Sequence, residues 1–188
     1  ALEMIRYFED YARRHGALLT LLLPFQISFY RRMGYGFAGK LYEYHLPTAV
    51  LPKPDGEARR HLRLLQPEDF DRVLACHSRF AAQNHGMVEK FEEEVRAART
   101  DIQVRRIGYC ADDGTLRGYV AYRFESASDT NYTRNRLSLE ELVYDDGVVL
   151  RALLGALKLQ EDLAQTVLLR TGEEDFHHLL EDPQDVSG

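Results

Sequence analysis

A short segment, FQISFYRRMGYGF at residues 25–37, holds the side chains of this sequence best suited to chemistry. It places the phenol of Tyr30 directly before two arginines, and a Gly-Tyr-Gly follows at residues 34–36. Two interpretations are open from these residues. The aromatic side chains could form a packed core followed by a turn, or the hydroxyl of Tyr30 could be held in place as a proton donor, since a phenol keeps its proton at neutral pH.

The other polar candidates fit ordinary structural roles. Glu140 and Glu141 are neighbours in a predicted strand, so their side chains should point to opposite faces and cannot act as a carboxylate pair. The turn at 145–147, Asp-Asp-Gly, lacks the spaced oxygen ligands of a calcium loop. His77 falls on an apolar helix stripe and is predicted to be a core or edge histidine, and His177-His178 are predicted to lie on the surface.

The elements that would position Tyr30 form a short series. Hydrophobic periodicity and glycine positions define them. They are a helix at 2–15, a strand buried on both faces at 17–23, a helix at 25–33 ended by Gly34, and a strand at 37–46. Tyr35, Gly34 and Gly36 are interpreted as structural, because they carry the chain from the helix into the following strand.

A proline-rich segment at 47–57 is the best candidate domain boundary, since it has three prolines and an Asp-Gly. Residues 58–188 then read as one unit with the order β-α-α-β-β-β-α-β-α, including a hairpin signal at Asp112-Asp113-Gly114 and a final helix capped by Thr171 and Glu174. The earlier α-β-α-β series matches the end of this order. The sequence therefore predicts an α/β fold with a mixed sheet, in two copies, the first one truncated.

Composition limits the classes of function. The 188 residues carry a formal charge of −6 and no basic stripe, which argues against nucleic acid as a partner and favours a cationic small molecule. The longest apolar run, 17–25, is too short to cross a bilayer, and no export leader opens the chain, so a cytoplasmic location without membrane contact is expected. Cys76 and Cys110 have no metal-type spacing and are expected to be reduced thiols.

The order of elements and the stretch RRHGALLTLLLPFQISFYRRMGYG, residues 13–36, resemble the GNAT acyl-CoA-dependent N-acetyltransferases. The second part, from HLRLLQPEDFDRVLACHSRFAAQNHGM to LSLEELVYDD, is more narrowly similar to the Eis (enhanced intracellular survival) family. Members of that family resemble a head-to-tail pair of GNAT modules followed by a third domain, assembled as ring-like homo-oligomers. The resemblance implies that this sequence is a fragment, with residues 1–46 as the C-terminal half of the first, catalytic module.

The resemblance also assigns roles in the segment at 25–37. It implies that acetyl-CoA is the co-substrate, without a metal, and that Tyr30 is the general acid. A phenol with a pKa near 10 can protonate a departing thiolate whose pKa is about 8.5. Phe25 and Gln26 match positions that meet the pantetheine and adenosine end of acetyl-CoA. Arg31, with Arg32 beside it, is positioned to attract the phosphates, although a solvated helix face is the alternative role.

In GNAT modules the cofactor pyrophosphate binds backbone N–H groups at a helix N-terminus, in a glycine-rich loop. For the first module this loop would precede Ala1. The corresponding stretch of the second module, YDDGVVLRALLG from residue 144, instead carries two aspartates, which would repel a pyrophosphate. The second module is therefore predicted to keep the fold without binding cofactor.

Together these observations predict an acetyl-CoA-dependent N-acetyltransferase that acts on an aminoglycoside-like or polyamine-like amine. A non-catalytic GNAT-like binding or assembly module is the alternative.

Overall fold

The computed structural model describes residues 2–53, 55–84, 87–127 and 135–180, so positions 181–188 of the predicted second module lie outside it. Its contacts divide the chain into unit 1, Ala1–Lys40, and unit 2, Leu41–Gly188. No helix among the described residues is long and apolar enough to cross a membrane.

Unit 1 contains two helices, α1 at Leu2–Arg14 and α2 at Ile27–Arg31. Both were predicted, and the observed α2 is shorter than the predicted range of 25–33. Pro24 precedes α2 closely, and Gly34 follows it with a φ of +94°, a backbone conformation that L-residues with a side chain rarely adopt. The periodic spacing of apolar residues therefore predicted both helices, and Pro24 and Gly34 limit the length of the second one.

The strand predicted at 17–23 is not formed. The segment has no regular secondary structure, and no described residue pairs with it in a β-ladder. Most of its leucines are solvent-exposed, Leu18 by 97% and Leu23 by 90%. An apolar run becomes a buried strand only when neighbouring strands satisfy its backbone N–H and C=O groups, and sequence alone does not show whether such neighbours are present.

Unit 2 is built on one mixed six-stranded sheet. Its strands are β1 Tyr42–Pro47, β2 Leu62–Leu64, β3 Arg105–Cys110, β4 Leu116–Ser126, β5 Asn135–Tyr144 and β6 Thr166–Thr171. They lie in the order β1-β6-β5-β4-β3-β2, and every neighbouring pair is antiparallel except β5 with β6. The predicted mixed α/β fold is confirmed.

The helices cover both faces of this sheet. They are α3 Gly56–Arg59, α4 Phe70–Gln83, α5 Glu92–Thr100 and α6 Gly147–Lys158, with 3-10 turns at Thr48–Val50, Pro67–Asp69 and Phe176–Leu179. Side chains alternate along β4, so Val120 joins the cluster around α6, whereas Tyr119 and Ala121 join the one around α4. Both clusters exclude solvent, which makes the sheet the centre of the hydrophobic core.

The final helix predicted from Thr171 and Glu174 is replaced by the 3-10 turn at Phe176–Leu179. Thr171 is the last residue of β6, and its hydroxyl accepts a hydrogen bond from the Glu173 amide, 3.1 Å away. The side chain expected to cap a helix thus closes a tight turn at the strand end.

β1 joins the sheet of unit 2 along its whole length, pairing from Tyr42 with Thr171 to Pro47 with Thr166. The sequence placed this strand at the end of the first module, before the boundary at 47–57. The module boundaries stay a prediction, while the hydrogen bonds of β1 belong to unit 2.

Candidate functional site

Unit 1 contains a cavity of about 440 Å³ that Tyr30 lines. Tyr30 and Arg31 come from α2, and most of the remaining wall consists of apolar residues in the ranges 20–24 and 35–39. We call this the tyrosine cavity. Two of the four predicted site residues, Tyr30 and Arg31, thus lie in the wall of one space.

Aromatic rings hold the side chain of Tyr30. Its ring packs edge-on against Phe25, Phe29 and Tyr35, with centroid distances of 5.4, 5.2 and 6.0 Å. Its carbonyl accepts hydrogen bonds from the amides of Met33 and Tyr35, which form the turn at Gly34. Edge-to-face contacts fix the plane of a ring without using its hydroxyl. Among the described residues, the Tyr30 hydroxyl makes no hydrogen bond, so it is available to a ligand in the cavity.

The other two predicted residues occupy different positions. Phe25 supports the ring of Tyr30 but is not in the cavity wall, and its side chain is 76% exposed. Gln26 is the residue immediately before α2, and its side chain makes no capping hydrogen bond. The roles implied for these residues toward acetyl-CoA stay predictions, as does the role of Arg31.

Unit 2 contains a cleft between β5 and β6. Their parallel pairing covers only Arg136–Ser138 and Thr166–Leu168. Beyond it, a cavity of about 470 Å³ lies between residues 139–144 and 169–173, with His77 and Phe80 of α4 in its wall. The cleft exists because β5 and β6 stop pairing, while β6 continues to pair with β1.

The N-terminus of α6, beside this cleft, is already occupied by a carboxylate. Asp146 accepts hydrogen bonds from the amides of Val148 and Val149, each 3.0 Å away. It also forms an ion pair with Arg117 at 2.7 Å. The Val149 amide, followed by Arg117, holds the pKa of Asp146 below its usual value, against the effect of burial. Two amide groups that a phosphate could use are thus bonded within the chain, and the absence of cofactor binding by the second module stays a prediction.

A partly buried polar cluster beside the cleft was not predicted from the sequence. Glu141 on β5 forms an ion pair with Lys90 and accepts a hydrogen bond from the hydroxyl of Tyr119 on β4. Burial favours a raised pKa for Glu141, but the bonds from Lys90 and Tyr119 outweigh it and the pKa is lowered. The pKa of Tyr119 is raised, first by burial and then by the charge of Glu141.

The prediction for His77 is confirmed, and the prediction for Glu140 and Glu141 is wrong. His77 is a core histidine, 6% exposed, whose pKa is lowered first by burial and then by the charge of Lys90. Glu140 bonds Arg123 and Glu141 bonds Tyr119, two side chains on one face of β4, because an irregularity in the β4–β5 register at Ala121/Tyr122 breaks the alternation, so both carboxylates lie on the same face. The only signal for the cluster was an acidic residue on the inward face of a strand, and its partner Lys90 lies far away in sequence. Cys76 and Cys110 are buried free thiols, as expected.

The described residues include no group of three or more His, Cys, Asp or Glu side chains that could hold a metal ion.

One known domain family and several solved structures are similar to this chain. The sequence profile of the acetyltransferase (GNAT) domain family matches residues 84–188, more than half of the chain. No curated protein sequence matches the chain. A solved GCN5-related N-acetyltransferase from Anabaena variabilis ATCC 29413 superposes with a TM-score of 0.83 at 15% identity, over 99% of this chain and 47% of its own.

Two further solved structures are similar. Eis1 from Mycobacterium abscessus has a TM-score of 0.68 and 25% identity over 97% of this chain and 47% of its own. A GCN5-related N-acetyltransferase from Kribbella flavida has a TM-score of 0.69 and 23% identity over 97% of this chain and 44% of its own. The chain therefore spans less than half the length of each of these three solved structures.

Proposed function

Because this chain belongs to the acetyltransferase (GNAT) domain family, we propose that the protein containing it transfers an acetyl group from acetyl-CoA to an amine, with Tyr30 as the general acid. The observation that carries the proposal is the position of Tyr30: its ring is fixed by three aromatic neighbours, the residue lines the tyrosine cavity, and no described residue bonds its hydroxyl.

The residues of the tyrosine cavity fit the thioester end of acetyl-CoA better than its phosphates. Most of the wall is apolar, and Tyr30 and Arg31 supply its polar side-chain groups together with Thr20 and Tyr35. Bound acetyl-CoA supplies an acyl group activated as a thioester. At the N-terminus of α6 the residues do not fit a pyrophosphate, because Asp146 takes the amides.

In the proposed reaction Tyr30 donates one proton. The unprotonated amine nitrogen attacks the thioester carbonyl carbon, a C–N bond forms and the C–S bond breaks. The Tyr30 hydroxyl donates its proton to the departing sulfur; a phenol is a weaker acid than a thiol by about 1.5 pKa units in water, so it stays protonated until the thiolate forms. The nitrogen loses one proton to solvent as the amide forms, and solvent returns one proton to the Tyr30 phenolate.

We propose a cationic amine of the aminoglycoside or polyamine type as the acceptor. The net charge of −6 supports this, because an acidic protein attracts cations and repels anions at long range. The tandem arrangement, with residues 1–46 in a first module and 58–188 in a second, and assembly into a homo-oligomer belong to the same proposal. The likeness to Eis1 supports the tandem arrangement.

Substitution of Tyr30 by phenylalanine tests the catalytic role. It removes the hydroxyl and retains the ring contacts, so we expect kcat for acetyl transfer to fall about 100-fold or more with little change in KM for acetyl-CoA. The measurement is release of free CoA thiol by the whole protein, with spermidine and an aminoglycoside as acceptors.

Tyr11→Phe is the matched control, because Tyr11 lies on α1, outside the tyrosine cavity, and stacks on His15. Its kcat should equal that of the unchanged protein. Equal activity of the Tyr30→Phe and Tyr11→Phe proteins would disprove the general-acid role of Tyr30.

A non-catalytic role in binding or assembly is the second candidate, and it applies to unit 2. The capping of α6 by Asp146 favours it, because the amides of Val148 and Val149 in the first turn of this helix are bonded within the chain and not to a phosphate. Absence of both amine acetylation and acetyl-CoA hydrolysis in the whole protein would favour this role for the entire chain.

A further inference from the structure

A cavity of about 400 Å³ in unit 2, separate from the cleft, is lined by arginines. Its wall includes Arg60, His61, Arg63, Arg72, Cys110 and Asp112. It lies at the edge of the sheet formed by β2, between the start of α4 and the β3–β4 hairpin. We call it the basic cavity. None of these residues lines the cleft between β5 and β6 or the tyrosine cavity.

Arg72 is held rigidly in the wall. One terminal nitrogen donates to Asp69 at 2.7 Å, and the other donates to the carbonyl of Gly114 at 2.5 Å and approaches the Cys110 sulfur at 3.6 Å. These bonds connect α4 to the β3–β4 hairpin. A guanidinium fixed in this way loses little conformational entropy when it binds a ligand.

His61 is also held by hydrogen bonds. Its Nδ1 lies 3.0 Å from the carbonyl oxygen of Cys110, which can only accept, so Nδ1 donates. Its Nε2 accepts from Nε of Arg60 at 3.2 Å. Arg60 also forms an ion pair with Glu57, at 3.1 Å. The Arg60 guanidinium thus contacts the His61 ring on one side and a carboxylate on the other.

Arg63 is the unused donor of the basic cavity. It lies on the edge strand β2, where its backbone pairs with Gly108, and its side chain is exposed. Its guanidinium makes no hydrogen bond or ion pair within the part of the chain that the structure describes. The carboxylate of the wall, Asp112, has an 87% exposed side chain and lies 3.8 Å from Nδ1 of His61. An incoming anion would compete with Asp112, whose high exposure allows it to turn toward solvent.

We propose that the basic cavity is a binding site for a small oxyanion, a ligand that carries a phosphate or a carboxylate group. Arginine is the side chain best suited to such groups, because its planar fork presents paired N–H donors to two oxygens. Arg72 supplies a guanidinium held between α4 and the β3–β4 hairpin, Arg60 supplies a second one, and Arg63 supplies a guanidinium that bonds no described residue. The site stands apart from acetyl transfer and does not depend on it.

The test is a titration of the full chain with inorganic phosphate and, separately, with malonate, at an ionic strength kept constant with sodium chloride. Binding is followed by NMR shifts of the amides at 110–115 and by calorimetry. We expect saturable 1:1 binding of at least one anion. Binding of phosphate alone assigns a phosphate ligand, and binding of malonate alone assigns a carboxylate ligand.

Three variants test which residues of the basic cavity bind the anion. Arg63→Ala should weaken binding about tenfold, which is the effect of one lost charge-assisted hydrogen bond. Asp112→Asn should tighten binding, since it removes the competing carboxylate. Arg151→Ala is the matched control, an exposed arginine on α6, and should change the Kd by less than about twofold because solvent and salt screen a distant charge.

Failure of both anions to saturate, or equal weakening by Arg63→Ala and Arg151→Ala, would overturn the proposal. The thermal unfolding midpoint of each variant verifies that the variant is folded. Arg63→Ala should leave this midpoint unchanged, because the side chain is exposed and its guanidinium bonds no described residue.

Discussion

Glu141 shows, at the scale of a single residue, how a partly buried charge depends on its partners. Its carboxylate lies in the wall of the cleft in unit 2, bonded by Lys90 and by the hydroxyl of Tyr119. Glu141→Gln leaves the Lys90 ammonium without its partner in a partly buried position. We expect a loss of about 2 kcal/mol in the free energy of unfolding at pH 7, measured by urea denaturation.

The same residue sets a pH dependence. The pKa of folded Glu141 lies below its usual value of 4.5, so its stabilising effect is complete above that value and is lost as the pH falls through the folded pKa. The stability difference between the unchanged protein and Glu141→Gln should therefore shrink in acid. Glu140→Gln is the control, since Glu140 is a half-exposed neighbour paired with Arg123, and it should have a small effect at every pH. A constant difference from pH 7 to pH 3 would contradict this account.

The sequence indicated the aromatic neighbours of Tyr30 but not the partners of Glu141. Tyr30 could be singled out because a short segment contains the tyrosine and the aromatic rings that pack on it. Glu141, by contrast, depends on Tyr119 and Lys90, which reach it through strand pairing and through a loop. Contacts between residues distant in sequence require the fold, and no local pattern indicated them.

Gly118 on β4 shows how closely two elements of unit 2 approach each other. A Cβ at this position would lie 2.5 Å from Cγ1 of Val149 on α6 and 2.7 Å from the backbone oxygen of Val143. Gly118→Ala therefore requires α6 or the β4–β5 pair to shift, and we expect a loss of about 1–3 kcal/mol in the free energy of unfolding.

Gly147→Ala is the matched control for this close approach. Gly147 begins α6, and a Cβ there would meet no atom within 4 Å. Alanine should be tolerated or slightly stabilising, since it restricts the unfolded chain more than glycine does. Chemical denaturation of both variants gives the comparison, and equal stability would show that α6 can move away from β4 without loss.

Elements with local signals were predicted well, and elements that need a partner were not. The β3–β4 hairpin follows Asp112-Asp113-Gly114 as expected, because Gly114 adopts a φ of +85° that the turn requires. The strand predicted at 17–23 and the final helix failed for different reasons: the first has no ladder partner among the described residues, and the second has its capping threonine in β6.

At the scale of the whole molecule, the two units differ in how much they bury. The helices α1 and α2 of unit 1 have no buried residue, whereas α6 of unit 2 is buried along most of its length. Since local opening is easiest where few apolar contacts are lost, we expect trypsin to cut first within residues 13–40, after Arg31, Arg32 or Lys40. Mass spectrometry of the early products tests this, and earlier cleavage at Arg117 or Arg123 within β4 would contradict it.

The pairing of β1 with β6 has a consequence for anyone who wishes to express part of this protein. A shortened chain that begins after the proline-rich segment at 47–57 would lack β1, and the backbone groups of β6 that bond Tyr42–Pro47 would face solvent. An exposed apolar edge such as TVLLRT is a template for pairing between molecules. Solubility and yield should therefore depend on keeping the residues from Leu41 onward.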